Sequence, residues 1–172
     1  DGRAVVSVDA IVLAGGRGSR VGGAVKPLFE VAGSTLLAAA VAAVRARGAR
    51  RVVVAALVLD DGLDATWVRE DPPFGGPVAG LVAALPTVDA EDVFVVASDL
   101  ATAGPAVALL PDALASGIDG ACLDDGRRQW LIGRYRTAAL RAAASALSDA
   151  GRDASMRALL GGLNIVTIPA DP

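Results

Sequence analysis

The sequence predicts an α/β protein of three layers: a doubly wound, mainly parallel sheet between two layers of helices. Three observations carry this. Short apolar runs without alternation, Val8–Ala14, Val52–Val54 and Asp92–Ala97, read as strands buried on both faces. Ala- and Leu-rich segments of helical length separate them, the order expected of strands joined by crossover helices. The 172 residues match one domain, expected to span 1–172, and no linker or repeat divides them.

The elements follow in order. After the strand Val8–Ala14 comes a glycine-rich loop, Gly15–Gly23. Ser34 is the expected N-cap of a helix from Thr35 to Arg45, with Gly48 near its end. A second buried strand lies within Arg51–Leu57, and Asp60–Phe74, with Pro72-Pro73, reads as irregular. Gly75-Gly76 introduces a short helix, Pro77–Leu85. The third strand ends at Ser98-Asp99, and Pro105–Ala115 is helical. Strands at Gly120–Leu123 and Gln129–Arg136 flank the turn signal Asp124-Asp125-Gly126. Helices at Thr137–Asp149 and Ser155–Leu160 and a strand at Asn164–Ile168 complete the chain.

Composition narrows the chemistry. The chain has no histidine, which excludes imidazole bases, Ser-His and Cys-His nucleophiles and histidine-bound zinc. One cysteine, Cys122, excludes internal disulfides and cysteine clusters and reads as a small buried hydrophobe. A net charge of −3 and 3% aromatic residues argue against nucleic-acid binding by phosphate neutralisation or base stacking. No apolar run is long enough for a membrane span, no basic segment precedes an apolar one, and a cytoplasmic location is the expectation. What remains is carboxylates, Lys, Arg, backbone amides and a hard cation on oxygen ligands.

The loop Leu13-Ala14-Gly15-Gly16-Arg17-Gly18-Ser19-Arg20-Val21-Gly22-Gly23-Ala24-Val25-Lys26-Pro27-Leu28 leaves the first strand where open α/β sheets bind ligands. Glycines let backbone N–H groups approach phosphate oxygens. Neither the dinucleotide fingerprint nor the Walker P-loop fits: Val21 stands where the third glycine of the former belongs, and Lys26 lies between Val25 and Pro27. Arg20 offers a fork for one phosphate and Lys26 a point charge for another. Asp99, at the end of an apolar strand, suits Mg²⁺, which needs only one or two protein carboxylates; a strand-end Asp serves equally as a helix cap. Glu91, Asp92 and Asp89, at the strand's other end, read as solvated charges. Asp71 reads equally as a nucleotide contact or a turn residue, and Trp130 as core or rim more readily than as a ligand contact.

These residues resemble a family. Leu13-Ala14-Gly15-Gly16, Arg20, Gly22 and Lys26-Pro27-Leu28 look like the signature of nucleotidyltransferases of the molybdenum cofactor guanylyltransferase (MobA-like) type. The resemblance implies a Rossmann-like nucleotidyltransferase fold whose loop wraps the phosphates of a nucleoside triphosphate. Asp71 to Leu81 resembles the family's Gly-Pro-Leu-Ala-Gly stretch, which helps hold base and ribose, and Ser98-Asp99-Leu100 its metal-binding strand end. Gln129–Tyr135 and Ser155–Leu160 resemble its later strand and acceptor-side helix. The resemblance therefore implies nucleotide contacts at Leu13, Ala14, Gly15, Gly16, Arg20, Lys26, Asp71 and Asp99, catalytic roles for Arg20, Lys26 and Asp99, and Mg²⁺ on Asp99. It implies GMP transfer from GTP to the phosphate of a molybdopterin-type acceptor. CTP or another nucleotide, a sugar-phosphate acceptor, or nucleotide or molybdopterin binding without catalysis are the alternatives. The chain departs from the pattern at Val21 (usually Met), at Ala55-Ala56 (where an Asn is common), at Ala101 (usually Pro), and at Val166 and Thr167, where a polar site residue is usual. Asn164 takes that last place only if the alignment shifts.

Overall fold

The computed structural model describes residues 5–15, 20–21, 24–31 and 33–170. In chain order the elements begin with β1 (Val8–Leu13), β2 (Arg20–Val21), β3 (Ala24–Val25), β4 (Glu30–Val31), β5 (Ser34–Thr35), α1 (Leu36–Ala46), β6 (Val52–Ala55) and β7 (Thr66–Val68). They continue with α2 (Pro77–Ala84), β8 (Asp92–Ala97), α3 (Ala103–Ala108), β9 (Gly120–Asp124), β10 (Arg128–Arg136), α4 (Thr137–Ser145), α5 (Met156–Leu160) and β11 (Ile165–Pro169).

Seven strands form one sheet in the order β11-β9-β10-β8-β1-β6-β7. Neighbours β8, β1, β6 and β7 run parallel, and β10 runs against both β8 and β9. The apolar runs become the central strands because both of their faces are covered. Val8, Ala10 and Val12 of β1 pack with Leu37, Val41 and Val44 of α1 and Val107 of α3. On the other face Ile11 packs with Val78 and Leu81 of α2, Leu140 of α4 and Leu160 of α5. The result is the expected three-layer, mainly parallel α/β fold.

Local chemistry shifted several element ends. Thr35, not Ser34, caps α1: its hydroxyl accepts from Ala38 N at 3.0 Å, while Ser34 sits one residue earlier in the β4–β5 ladder. The stretch read as irregular contains β7, which the parallel ladder to β6 holds in extended form. α3 ends at Ala108, short of the expected Ala115, because Pro111 disfavours helix at Leu110. α4 ends at Ser145, and Asp149 and Ala150 follow with positive φ of 51° each. Asp92 is a further correction. It is not solvated but fully buried, and Arg134 Nε donates to its Oδ2 at 2.8 Å. The guanidiniums of Arg134 and Arg47 lie 5.4 and 5.7 Å from the centre of the buried Phe94 ring.

Asp9, also fully buried, lies at the opposite end of the central strands from the site described below. Its Oδ1 accepts from Arg51 N, and its Oδ2 accepts from Asp89 N and Ala90 N, all at 3.0 Å. The carboxylate thus ties β1 to the starts of β6 and β8. Asp9→Ala leaves three N–H donors without that acceptor and is expected to lower stability by roughly 3–5 kcal/mol, read as a lower denaturation midpoint with unchanged slope.

Candidate active site

Parallel strands end together, and their loops diverge to the two faces of the sheet. A cleft of about 740 Å³ opens there, at the C-terminal ends of β1 and β8. Leu13, Ala14 and Gly15 form its floor, with Ala97, Ser98 and Asp99 beside them. Pro27 closes one side; Phe74, Gly76, Pro77, Leu131, Arg152 and Asp153 complete the wall.

The backbone explains how these residues meet. Ser98 N donates to Leu13 O at 3.1 Å, which carries the β1–β8 pairing one residue beyond the strand and fixes the start of the Ser98-Asp99 turn. Gly15 N donates to Ala55 O at 3.1 Å, and a Cβ on Gly15 would sit 3.2 Å from that oxygen. Gly15 thus serves close packing against β6, and its amide is committed to the sheet. Lys26 opens a single 3₁₀ turn, Lys26–Leu28, in which Pro27 presets φ and Phe29 N closes onto Lys26 O at 3.0 Å. Leu36 N then bonds Phe29 O at 2.8 Å, tying this turn to the start of α1.

The outcome is the contact at the heart of the site. Lys26 Nζ lies 3.1 Å from Asp99 Oδ2, with 37% and 40% of the two side chains exposed. Residues 73 positions apart are joined at the edge of the cleft, and both remain open enough to exchange partners. Gly16 and the Arg20 side chain lie outside the described residues. Asp71 is not brought to the cleft: it is exposed and lines a neighbouring recess of about 310 Å³ with Arg69, Glu70 and Asp149.

Other residues named from the sequence do structural work. Asn164 donates its side-chain amide to Gly117 O and its backbone N–H to Asp119, before the start of β11 and away from the cleft. Gln129 donates to Asp125 at 2.8 Å, and this hydrogen bond holds the Asp125 carboxyl below its ordinary range. Asp124 accepts from Gly126 N within the same hairpin turn. Trp130 is half-buried, with the Arg128 guanidinium 5.2 Å from its ring. Ser155 caps α5, accepting from Ala158 N at 3.0 Å. Burial pushes the Cys122 thiol up and the Tyr135 hydroxyl well above its ordinary value, and Tyr135 donates to Trp130 O. Neither lines the cleft, so neither serves it as nucleophile or acid.

Arg152 and Asp153 are wall residues that the sequence does not disclose, whereas Phe74 lies in the Asp71–Leu81 stretch named by resemblance. Arg152 and Asp153 lie in the link between α4 and α5, where a charged pair reads as ordinary surface. The only sequence signal near them is the Gly75-Gly76 pair they pack against.

The residues suit a hard cation. Among the described residues no three His, Cys, Asp or Glu side chains gather to cage a metal. Of the two described carboxylates that line the cleft, Asp99 and Asp153, Asp99 stands at the end of β8 beside Lys26, and a single carboxylate there matches an ion that draws its other ligands from water and phosphate oxygens.

A mainly parallel α/β sheet with a glycine-rich loop leaving its first strand, and a Lys–Asp pair where that strand meets the next, defines a nucleotidyltransferase-type fold. The model of the MobA-like NTP transferase domain matches residues 10–164, and the chain belongs to that family. Solved structures agree at the level of fold. A nucleotidyl transferase from Methanothermobacter thermautotrophicus superposes with TM-score 0.72 at 21% identity, over 96% of this chain and 88% of its own. Molybdopterin-guanine dinucleotide biosynthesis protein A from Archaeoglobus fulgidus gives 0.65 at 22% identity, covering 94% and 83%. 2-C-methyl-D-erythritol 4-phosphate cytidylyltransferase from Thermus thermophilus gives 0.64 at 20% identity, covering 94% and 88%. No curated protein matches the chain significantly in sequence. Among the described residues no helix is long and apolar enough to cross a membrane.

Proposed function

We propose that the chain is a Mg²⁺-dependent nucleotidyltransferase that moves GMP from GTP to the phosphate of a molybdopterin-type acceptor. An acceptor phosphate oxygen bonds to the α-phosphorus, the bond from that phosphorus to the bridging oxygen breaks, and pyrophosphate leaves with the electron pair. The observation that carries this reading is the Lys26–Asp99 contact of 3.1 Å beside the cleft floor formed by Leu13–Gly15.

The nucleophile is already an anion, so no general base is required, which suits a chain without histidine. The barrier falls through positioning and charge neutralisation. Lys26 exchanges Asp99 for phosphate oxygens and holds the triphosphate. Arg20 and the Gly16 backbone are assigned the neighbouring phosphate. Asp99, released by Lys26, would hold Mg²⁺, which when bound neutralises charge on the phosphates. The cleft volume of about 740 Å³ leaves room for a nucleotide and part of a second substrate.

CTP is the second nucleotide to test, because the cytidylyltransferase and the guanine-dinucleotide protein superpose almost equally well, at 0.64 and 0.65. Ala55 and Ala56, both buried, bring no polar side chain to a base at the end of β6, and Ala55 O and Ala56 N are already bonded within the sheet. Pyrophosphate release is measured with GTP and CTP in parallel, each with Mg²⁺ and with molybdopterin present or absent. Acceptor-dependent release that is faster with GTP supports the proposal; faster release with CTP moves the assignment to a cytidylyltransferase.

A further inference from the structure

We propose that Arg152 is a positioning residue of the cleft, acting through the carbonyls of Pro72 and Pro73 to hold the 71–76 turn in its wall. The inference rests on reading the cleft as a nucleotide site. Arg152 is half-buried, and its Nη1 donates to Pro72 O and its Nη2 to Pro73 O, the latter at 3.4 Å. Next to it, Asp153 N donates to Gly75 O at 2.7 Å. Two loops that are distant in sequence are thereby stitched together at the rim of the cleft.

The backbone on both sides of the stitch is strained in its favour. Phe74 and Asp153 both line the cleft, and both hold left-handed conformations, with φ of 66° and 57°. Gly75 between them is buried, and a Cβ there would lie 2.7 Å from Ala79 Cβ and 3.1 Å from Arg152 Nη1. Only glycine lets the guanidinium come this close. Gly75 N in turn donates to Glu70 Oε1 at 3.3 Å, so the turn is held from its β7 side as well.

Among the described residues Arg152 has no carboxylate within ion-pair distance, in contrast to Lys26, Arg47 and Arg134. Its planar fork is spent on two neutral carbonyls, a use that fits geometry more than charge balance. The turn brings Phe74 and Gly76 to the cleft wall, with the Arg69 guanidinium 5.3 Å from the centre of the Phe74 ring, and a wall of this kind suits the flat, weakly polar nucleoside half of a nucleotide. The cation assigned to the phosphates, Lys26, stands on a different segment, beside Asp99. Loss of the brace therefore affects how the nucleotide is held, and leaves the Lys26–Asp99 chemistry in place.

The experiment compares wild type, Arg152→Ala and Arg152→Lys by three readouts: steady-state kinetics with varied GTP, thermal melting, and amide exchange of the free protein. Arg152→Ala is expected to raise KM for GTP at least about tenfold with a smaller change in kcat. Its Gly75 and Asp153 amides should exchange at least about tenfold faster, while Ala10, bonded to Arg51 O, is unchanged. Arg152→Lys, able to reach one carbonyl but not both, should fall between the two. An unchanged KM, or a fall in kcat alone, overturns the positioning role. A KM rise that tracks a lower melting temperature and is not eased by lysine also overturns it, since it marks a merely structural residue. If wild type binds no nucleotide, the functional reading fails and this role fails with it; unaltered exchange overturns the brace by itself.

Discussion

Lys26→Ala is expected to cut kcat for pyrophosphate release by roughly 10²–10³-fold and to weaken GTP binding with or without Mg²⁺. The size follows from what the side chain does. On the proposed reading the triphosphate enters the cleft over Leu13–Gly15, and Lys26 stands at that floor beside Asp99, whereas Arg152, on another part of the wall, is engaged with the Pro72 and Pro73 carbonyls. A charge placed where negative charge develops in the transition state counts for more than the same charge in water. The variant is expected to fold. The Lys26–Asp99 pair has 37% and 40% of its side chains exposed, and exposed pairs are worth only about 0–1 kcal/mol. Melting within a few degrees of wild type, together with lost turnover, separates a catalytic defect from a folding defect. Turnover near wild type removes Lys26 from the mechanism.

Asp99→Ala should abolish turnover to a similar extent, with a different binding signature. Removing the carboxylate frees Lys26 from its partner, so GTP binding in chelator should be unchanged or tighter than in wild type. The gain in affinity that Mg²⁺ brings to wild type should be lost. The two variants therefore move nucleotide binding in chelator differently: Lys26→Ala weakens it and Asp99→Ala does not. Calorimetric titration of GTP in chelator and in Mg²⁺ measures both. Mg²⁺-stimulated binding that survives in Asp99→Ala places the cation elsewhere.

The central strands were legible because β1, β6 and β8 are covered on both faces and so carry unbroken apolar runs. β7 was not, because three residues at the sheet edge, Thr66-Trp67-Val68, owe their extended form to pairing with Val53, Val54 and Ala55. The burial of Asp92 was equally invisible. Its partner Arg134 is 42 positions away and arrives only through the antiparallel register of β10 on β8. Conversely, a lone Asp at a strand start reads as solvent-facing, because nothing local announces a buried partner.

The candidate site divides along the same line. Lys26 and Asp99 are legible because residue type and position after apolar strands suggest phosphate and metal chemistry, and the fold brings them to 3.1 Å. Asp71, named by resemblance, faces the neighbouring recess. Arg152 is not legible in the sequence because its contacts are to backbone carbonyls, which leave no mark on the sequence. The resemblance implies a nucleotide contact at Gly15, yet its amide bonds Ala55 O, and the glycine is there for the closeness of β6.

The most direct test of the central claim is pyrophosphate release by the wild-type chain with GTP, Mg²⁺ and molybdopterin, with Asp99→Ala as the control. Release that requires the acceptor and Mg²⁺, and that disappears in Asp99→Ala, is the predicted result. No release with GTP or CTP from a chain that binds both nucleotides would contradict it and leave a nucleotide-binding protein without transferase chemistry.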